Sequence, residues 1–467
     1  MTTLHSRPPA SRLPHRQHGK LLATVTLGLG TVAFATLLHG SPGSPGPLQS
    51  GLATAEAPRP AYLPLVVGPA SPPADPPWPL TLGSDVDALA ISGDRLYVGV
   101  GQVVVTYDIS VPGAARWLSQ SAYLGGRVAR LAVGGDRLFA VVRPDDFHPT
   151  MDPGQEDSPP WTRLAVLDLS HTEMPLLTAS VSLWNKSHNL FAGDLAARGR
   201  VAYLAVFDSV GGDLVCGGDT MCGLMIMDAS LPIPKLTLRD DLSPGVFRLL
   251  VRNDTLLAMG YLPPKDAESR PDFYMGLMTF GLSTSATPRL ISAPGQLSLR
   301  YRYRPWNLSV MGDRVFHVLD QGALLTASLA DNGELQLLLP LTTDPAHAFE
   351  LLPRLALRQP GRVFRTAAQD NRLHLLLLED PLRIVSVDVT DPLHPIPFGE
   401  HLLANINFSQ RPTRFGSMWD DTWGDLVATQ DARLFVAGGD SGLLVEVDVS
   451  RAGALRELAR YDAVAAP

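Results

Sequence analysis

The chain has 467 residues and a formal net charge of −8, long enough to bury a large core and acidic enough to argue against nucleic acid as a partner. No zincin helix, phosphate-binding loop, dinucleotide fingerprint or haem-attachment motif occurs, so no local motif declares a chemistry.

Residues 1–39 carry Arg7, Arg12, Arg16 and Lys20 with no acid, then the charge-free run LLATVTLGLGTVAFATLL at 21–38. This is the order of an export signal. The run is long for a cleaved peptide and just long enough to span a bilayer, so signal peptide and signal anchor both stay open. Membrane contact is expected only through 21–38, if uncleaved. The preceding arginines keep the amino terminus inside, which places the rest outside the cell or on its surface. Residues 40–80 hold SPGSPGP, APRP and SPPADPPWP, the composition of a stiff, unpacked Pro-rich linker. Within and just after it, 61–67 and 78–83 are candidates for an added outer strand.

In residues 81–467 short aliphatic or β-branched runs alternate with turn residues, and helical periodicity is nearly absent. One phrase recurs: a strand, the tight turn Gly93-Asp94, a second strand, then a third strand ending in an acid and a small hydroxyl residue, Asp108-Ile109-Ser110. The turn returns at Gly135, Gly199, Asn253, Gly312, Asp370 and Asp431, which makes seven copies. The acid returns as Asp168, Asp228, Asp388 and Asp448, with Gly281 and Ser328 in its slot in copies four and five. A four-stranded unit cannot cover both faces of its own sheet, and radial stacking hides the faces and protects the edges. The expected fold is therefore all-β, a seven-bladed β-propeller of four-stranded antiparallel blades. The recurring acid is expected to fix a turn by accepting backbone N–H bonds, because seven blades would otherwise need seven active sites.

Ile384-Val385-Ser386-Val387-Asp388-Val389-Thr390-Asp391-Pro392 and Gly442-Leu443-Leu444-Val445-Glu446-Val447-Asp448-Val449-Ser450 resemble LVIVD repeats, found in exported bacterial β-propeller proteins. The resemblance spans residues 85–462, strongest in copies one, six and seven. It implies the fold and export, and little about activity, since propellers host unrelated functions.

In an up-and-down blade the connections after the second and fourth strands share one face. All the long insertions fall there: 142–161, 206–222 and 259–275 after second strands, and 182–193, 297–306, 343–361 and 401–423 after fourth strands. Loops held on a rigid scaffold are where function concentrates. These loops carry Trp184, His188, Arg300, Tyr301, Arg302, Tyr303, Arg304, Trp306, Arg411, Arg414, Trp419 and Trp423, the residue types of interface anchors. The competing reading is that these aromatics pack the loops onto the ring.

Asp145, Asp146, His148, Asp420 and Asp421 are candidate metal ligands for which calcium is the fitting ion, although no EF-hand spacing is present and no cofactor is required. Cys216 and Cys222 suit a disulfide closing a small loop in an oxidising compartment. Gly439-Asp440-Ser441-Gly442 spells the local signature of a trypsin-like nucleophile, yet it falls between two strands where the repeat requires a turn. The leading functional expectation is an extracellular or cell-surface binding or scaffolding propeller. Its partner, a cell-envelope protein, peptide or carbohydrate, meets the loop-rich face. The alternative is a hydrolase or lyase at the central opening, metal-dependent or not, which needs polar groups converging within about 3–5 Å.

Overall fold

The computed structural model describes residues 85–467 except 144–161, 171–173, 186–187, 209–222, 232, 240–244, 263–273, 283–286, 294–307, 319–322, 339–354, 356–361, 380, 407–424, 430, 440, 452–454 and 464–467. The export segment, the linker and the two candidate outer strands lie outside the described residues.

Every described element is a strand or a turn. Blade 1 holds β1 (Val86–Ser92), β2 (Arg95–Val100), β3 (Val103–Asp108) and β4 (Arg116–Gln120). Blade 2 holds β5 (Arg127–Gly134), β6 (Arg137–Arg143), β7 (Arg163–Asp168) and β8 (Leu176–Ser182). A two-residue β9 (Trp184–Asn185) precedes blade 3, which holds β10 (His188–Arg198), β11 (Val201–Asp208), β12 (Gly223–Asp228) and β13 (Lys235–Arg239). Blade 4 holds β14 (Gly245–Arg252), β15 (Thr255–Leu262), β16 (Tyr274–Gly281) and β17 (Arg289–Ser292). Blade 5 holds β18 (Leu308–Met311), β19 (Arg314–Val318), β20 (Leu324–Leu329) and β21 (Leu335–Leu337). Blade 6 holds β22 (Arg362–Gln369), β23 (Arg372–Leu378), β24 (Leu382–Asp388) and β25 (Ile396–Leu403). Blade 7 holds β26 (Asp425–Ala428), β27 (Arg433–Ala437), β28 (Leu443–Asp448) and β29 (Arg456–Asp462).

Each sheet runs first to fourth strand in sequence order, antiparallel throughout, and each first strand packs on the next until β26 returns to β1. The chain is a seven-bladed β-propeller. Third strands such as β3 are buried along nearly their whole length, whereas fourth strands such as β4 are half exposed. That gradient follows from radial stacking, because neighbouring blades cover both faces of the inner strands and leave the outermost partly bare. Phe139, Phe316 and Phe435 sit at the same second-strand step and are fully buried, each contributing about 2–3 kcal/mol of burial.

The recurring acid behaves as a turn-former. Asp108, Asp168, Asp228, Asp388 and Asp448 each accept the backbone N–H two residues on, at 3.0, 2.7, 2.9, 2.8 and 2.8 Å. The residue after the slot is a node in all seven blades. Its N–H donates to the carbonyl of the first hairpin turn, as Ile109 does to Asp94 and Val449 to Ala432, both at 2.9 Å. In five blades its carbonyl accepts an arginine from the preceding blade. Arg198 reaches Leu282, Arg252 reaches Leu329, Arg314 reaches Val389, Arg372 reaches Val449 and Arg433 reaches Ile109. The short-turn face is thus stitched blade to blade.

The ring closes without strand exchange, since blade 7 supplies all four of its own strands. Val86 and Gly439 exchange two backbone hydrogen bonds of 2.8 Å across the seam. Beneath this pair the fully buried Glu446 carboxylate accepts from Arg433 Nη1 at 2.9 Å, the Gly113 N–H at 3.0 Å and the Tyr461 hydroxyl at 2.7 Å. The protease-like tetrapeptide is therefore a turn and a clasp. Gly439 and Gly442 both take left-handed φ, at 55° and 69°, and the Ser441 hydroxyl donates to the Gly438 carbonyl at 2.7 Å.

Candidate functional site

Each first strand begins at the long-loop face and ends at the short-turn face, so its opening residues line the channel near the loops. Five of the seven carry a register shift at the same place, between Val86 and Ala88, Val128 and Arg130, Ala192 and Asp194, Val246 and Arg248, and Val363 and Arg365. An extra residue in a strand breaks the in-out alternation and re-aims the side chain that follows it. Four of the five residues so placed are charged: Arg130, Asp194, Arg248 and Arg365.

They meet around the axis. Arg248 pairs with Asp194 at 3.1 Å, and Asp194 also accepts the Leu249 N–H at 2.8 Å. Arg130 donates to the Gly193 carbonyl at 3.3 Å and to the Ala129 carbonyl at 2.7 Å. Arg365, 3% exposed, lies 3.6 Å from Asp425, which accepts the N–H groups of Leu426 at 2.9 Å and Leu89 at 3.2 Å. The Arg365 guanidinium also sits 4.3 Å over the Phe364 ring. Burial holds the Arg365 pKa well below its ordinary value, repulsion from Arg130 and Arg248 adds to this, and Asp425 and Asp194 oppose it. Those four residues belong to four other blades, and the axis is where side chains from so many blades come together.

On the blade 1 side Arg127 is engaged by Asp87 and, at 2.8 Å, by Asp85. Arg143, at the loop end of β6 and 2% exposed, donates to the Ala192 carbonyl at 2.9 Å. The channel mouth is consequently lined by guanidinium groups in a protein whose net charge is negative.

Among the residues expected from sequence, the structure places the backbone of two. Trp184 and His188 pair with Asn189 and Asn185 in the β9–β10 hairpin, which adds β9 to the axial edge of blade 3. The stretch 188–193 is therefore strand rather than the loop expected, and it brings both residues to the channel mouth. Arg300, Tyr301, Arg302, Tyr303, Arg304, Trp306, Arg411, Arg414, Trp419 and Trp423 lie outside the described residues, as do Asp145, Asp146, His148, Asp420, Asp421, Cys216 and Cys222. Among the described residues no group of three or more His, Cys, Asp or Glu is placed to hold a metal, and no helix is long and apolar enough to cross a membrane.

Sequence reasoning missed the axial belt. Its signal was present: Arg130, Asp194, Arg248 and Arg365 each stand five residues before the first residue of the hairpin turn in their copy.

No family model matches the chain, and no curated protein matches it. Among solved structures it is similar to Hsv2p of Kluyveromyces lactis, at 11% identity over 81% of this chain and 99% of that one, TM-score 0.45. It is also similar to the computationally designed protein Ika8, at 13% identity over 81% and 87%, TM-score 0.42. Apo AztD from Citrobacter koseri aligns at 12% identity over 79% and 85%, TM-score 0.42. Identities this low say nothing about function.

Proposed function

We propose that the protein is an exported, LVIVD-type binding propeller that meets its partner on the long-loop face, at the mouth of the axial channel. The carrying observation is the opposite character of the two faces. The short-turn face uses its aspartates and arginines to fix turns and join blades, whereas the loop end of the channel gathers the guanidinium groups of Arg130, Arg248 and Arg365 around two described carboxylates, Asp194 and Asp425. Guanidinium groups present a fork of N–H donors and no acceptor, which suits them to recognise and hold the oxygens of a ligand. That favours binding over hydrolysis at the axis. Export rests on the basic and apolar leader at 1–39. A cell-envelope protein, peptide or carbohydrate suits a surface carrying Trp306, Trp419, Trp423, Arg411 and Arg414 on its loops.

The test is binding of the full chain to peptide and glycan arrays and to envelope proteins. The combined Trp306→Ala, Trp419→Ala and Trp423→Ala variant is expected to lose whatever binding the wild type shows. Arg200→Gln, which removes the Asp136 pair on the short-turn face, is expected to keep it. The opposite pattern overturns the assignment of the face.

A further inference from the structure

The axial belt holds more cationic donors than the described residues engage. Arg130, Arg248 and Arg365 come from alternate blades, the second, fourth and sixth, and occupy the same strand step. The carboxylates beside them, Asp194 and Asp425, are already engaged by backbone N–H groups of Leu249, Leu89 and Leu426. The guanidinium groups are less fully engaged. Among the described residues Arg248 donates to Asp194 through Nη1, Arg130 to two carbonyls through Nε and Nη1, and Arg365 to the Phe364 carbonyl through Nη1 at 3.3 Å. In all three the Nη2 makes no hydrogen bond among the described residues. A belt serving only to pack the ring would match each arginine with its own carboxylate, as Arg127 is matched by Asp85 and Asp87. Among the described residues three guanidinium groups here face two carboxylates, in a place where Arg365 is 3% exposed. A low-dielectric site strengthens each of these charges, and a planar fork of N–H groups fits the oxygens of a carboxylate or phosphate.

We infer that the axial belt is an oxyanion site, in which Arg130, Arg248 and Arg365 bind a carboxylate or phosphate group of a ligand arriving from the long-loop face. The inference rests on the proposed use of that face and adds the chemistry of what is recognised. Asp194 and Asp425 position the arginines: Asp194 on β10 holds both the Arg248 guanidinium and the neighbouring Leu249 N–H of β14, and Asp425 on β26 lies beside Arg365 of β22 while accepting the Leu89 N–H of β1.

The experiment is calorimetric titration of the full chain with sodium succinate and with sodium phosphate, in a chloride buffer at constant ionic strength. Saturable binding of either probe is expected, and whichever binds identifies the oxyanion. Arg365→Gln is expected to weaken it by about tenfold or more, the effect of losing one charge-assisted contact. Arg314→Gln, on the short-turn face, is expected to leave it unchanged. If Arg365→Gln fails to give the wild-type near-ultraviolet circular dichroism, Arg130→Gln, at a half-buried position, takes its place with the same expectation. No saturation by either probe overturns the inference, as does undiminished binding in a folded Arg365→Gln or Arg130→Gln variant. The two proposals fail separately. Loss of the oxyanion site leaves array binding by the loop tryptophans standing, and failure of the tryptophan variant to lose array binding leaves the titration result intact.

Discussion

Replacing Glu446 with Ala tests how the ring is held shut. The same third-strand step is Thr106, Val166, Ile226, Thr279, Thr326 and Ser386 in the other blades, so the carboxylate is peculiar to the closing blade. It is 0% exposed and accepts three hydrogen bonds, two of them from groups of blade 7 and one from the Gly113 N–H of blade 1. Its removal leaves Arg433, itself 6% exposed, with Asp431 at 2.7 Å and the Ile109 carbonyl, and leaves the Gly113 N–H and Tyr461 hydroxyl without this acceptor. Breaking a buried, hydrogen-bonded ion pair from one side costs about 3–5 kcal/mol. Because Arg433 keeps a second carboxylate, the expected loss lies at the lower end, about 3 kcal/mol. Urea unfolding followed by tryptophan fluorescence and circular dichroism measures it. Arg116→Ala, which breaks an exposed pair with Asp108, serves as the control and should cost less than about 1 kcal/mol. Hydrogen exchange in Glu446→Ala should rise first in β1, β2, β27 and β28, the strands along the seam. A loss no larger than the control, or exchange rising evenly round the ring, would refute the account of closure.

Two further outcomes follow from single residues. His374 occupies the step held by Tyr97, Phe139, Tyr203, Leu257, Phe316 and Phe435 elsewhere, and burial, followed by the charge of Arg372, lowers its pKa to about 3. A depressed folded pKa means stability is fully present above the unfolded value near 6.5 and is lost as pH falls toward 3, at up to about 1.4 kcal/mol per pH unit. His374→Phe should flatten that slope in urea midpoints measured from pH 7 to 4, and an unchanged slope sinks the assignment. A second loss, between about pH 4 and 2, should persist in the variant. It arises because hydrogen bonds from the Ser110 hydroxyl and amide hold Asp108 down to about 2, and similar bonds from Ser170, Thr390 and Ser450 lower Asp168, Asp388 and Asp448. Gly134→Ala would place a Cβ 2.5 Å from the Gly199 carbonyl oxygen and 3.0 Å from the Ala197 Cβ, where blades 2 and 3 approach. The expected cost is about 1–3 kcal/mol. It should exceed that of Gly93→Ala, which meets open space and incurs only left-handed strain; the reverse order in urea midpoints would contradict the packing.

The fold was legible because its instructions are local. A turn residue tolerating left-handed φ, an acid that accepts the N–H two residues on, and apolar runs of strand length recur in step, and each depends only on near neighbours in the chain. The same locality explains why Gly439-Asp440-Ser441-Gly442 could be read as a turn from sequence. That its Gly439 would pair with Val86, at the far end of the propeller, was not legible, because the partner is set by how many blades complete the circle.

The polarity of the faces was legible as well, since insertion lengths after second and fourth strands are counted directly. The charge belt was not, although its residues stand at a fixed distance from the turn. Simple alternation assigns facing wrongly wherever a strand carries an extra residue, and the extra residue shows itself only in the pairing of two strands.

The sequence by itself therefore determined a seven-fold repeat, its strand order and its turns, because these are short-range consequences of side-chain shape and hydrogen bonding. The tertiary structure alone decided that Arg130, Arg248 and Arg365, each more than a hundred residues of chain from the other two, share one axis with Asp194 and Asp425. Only closure of the ring brings alternate blades face to face, and with them the charges that give the channel its chemistry.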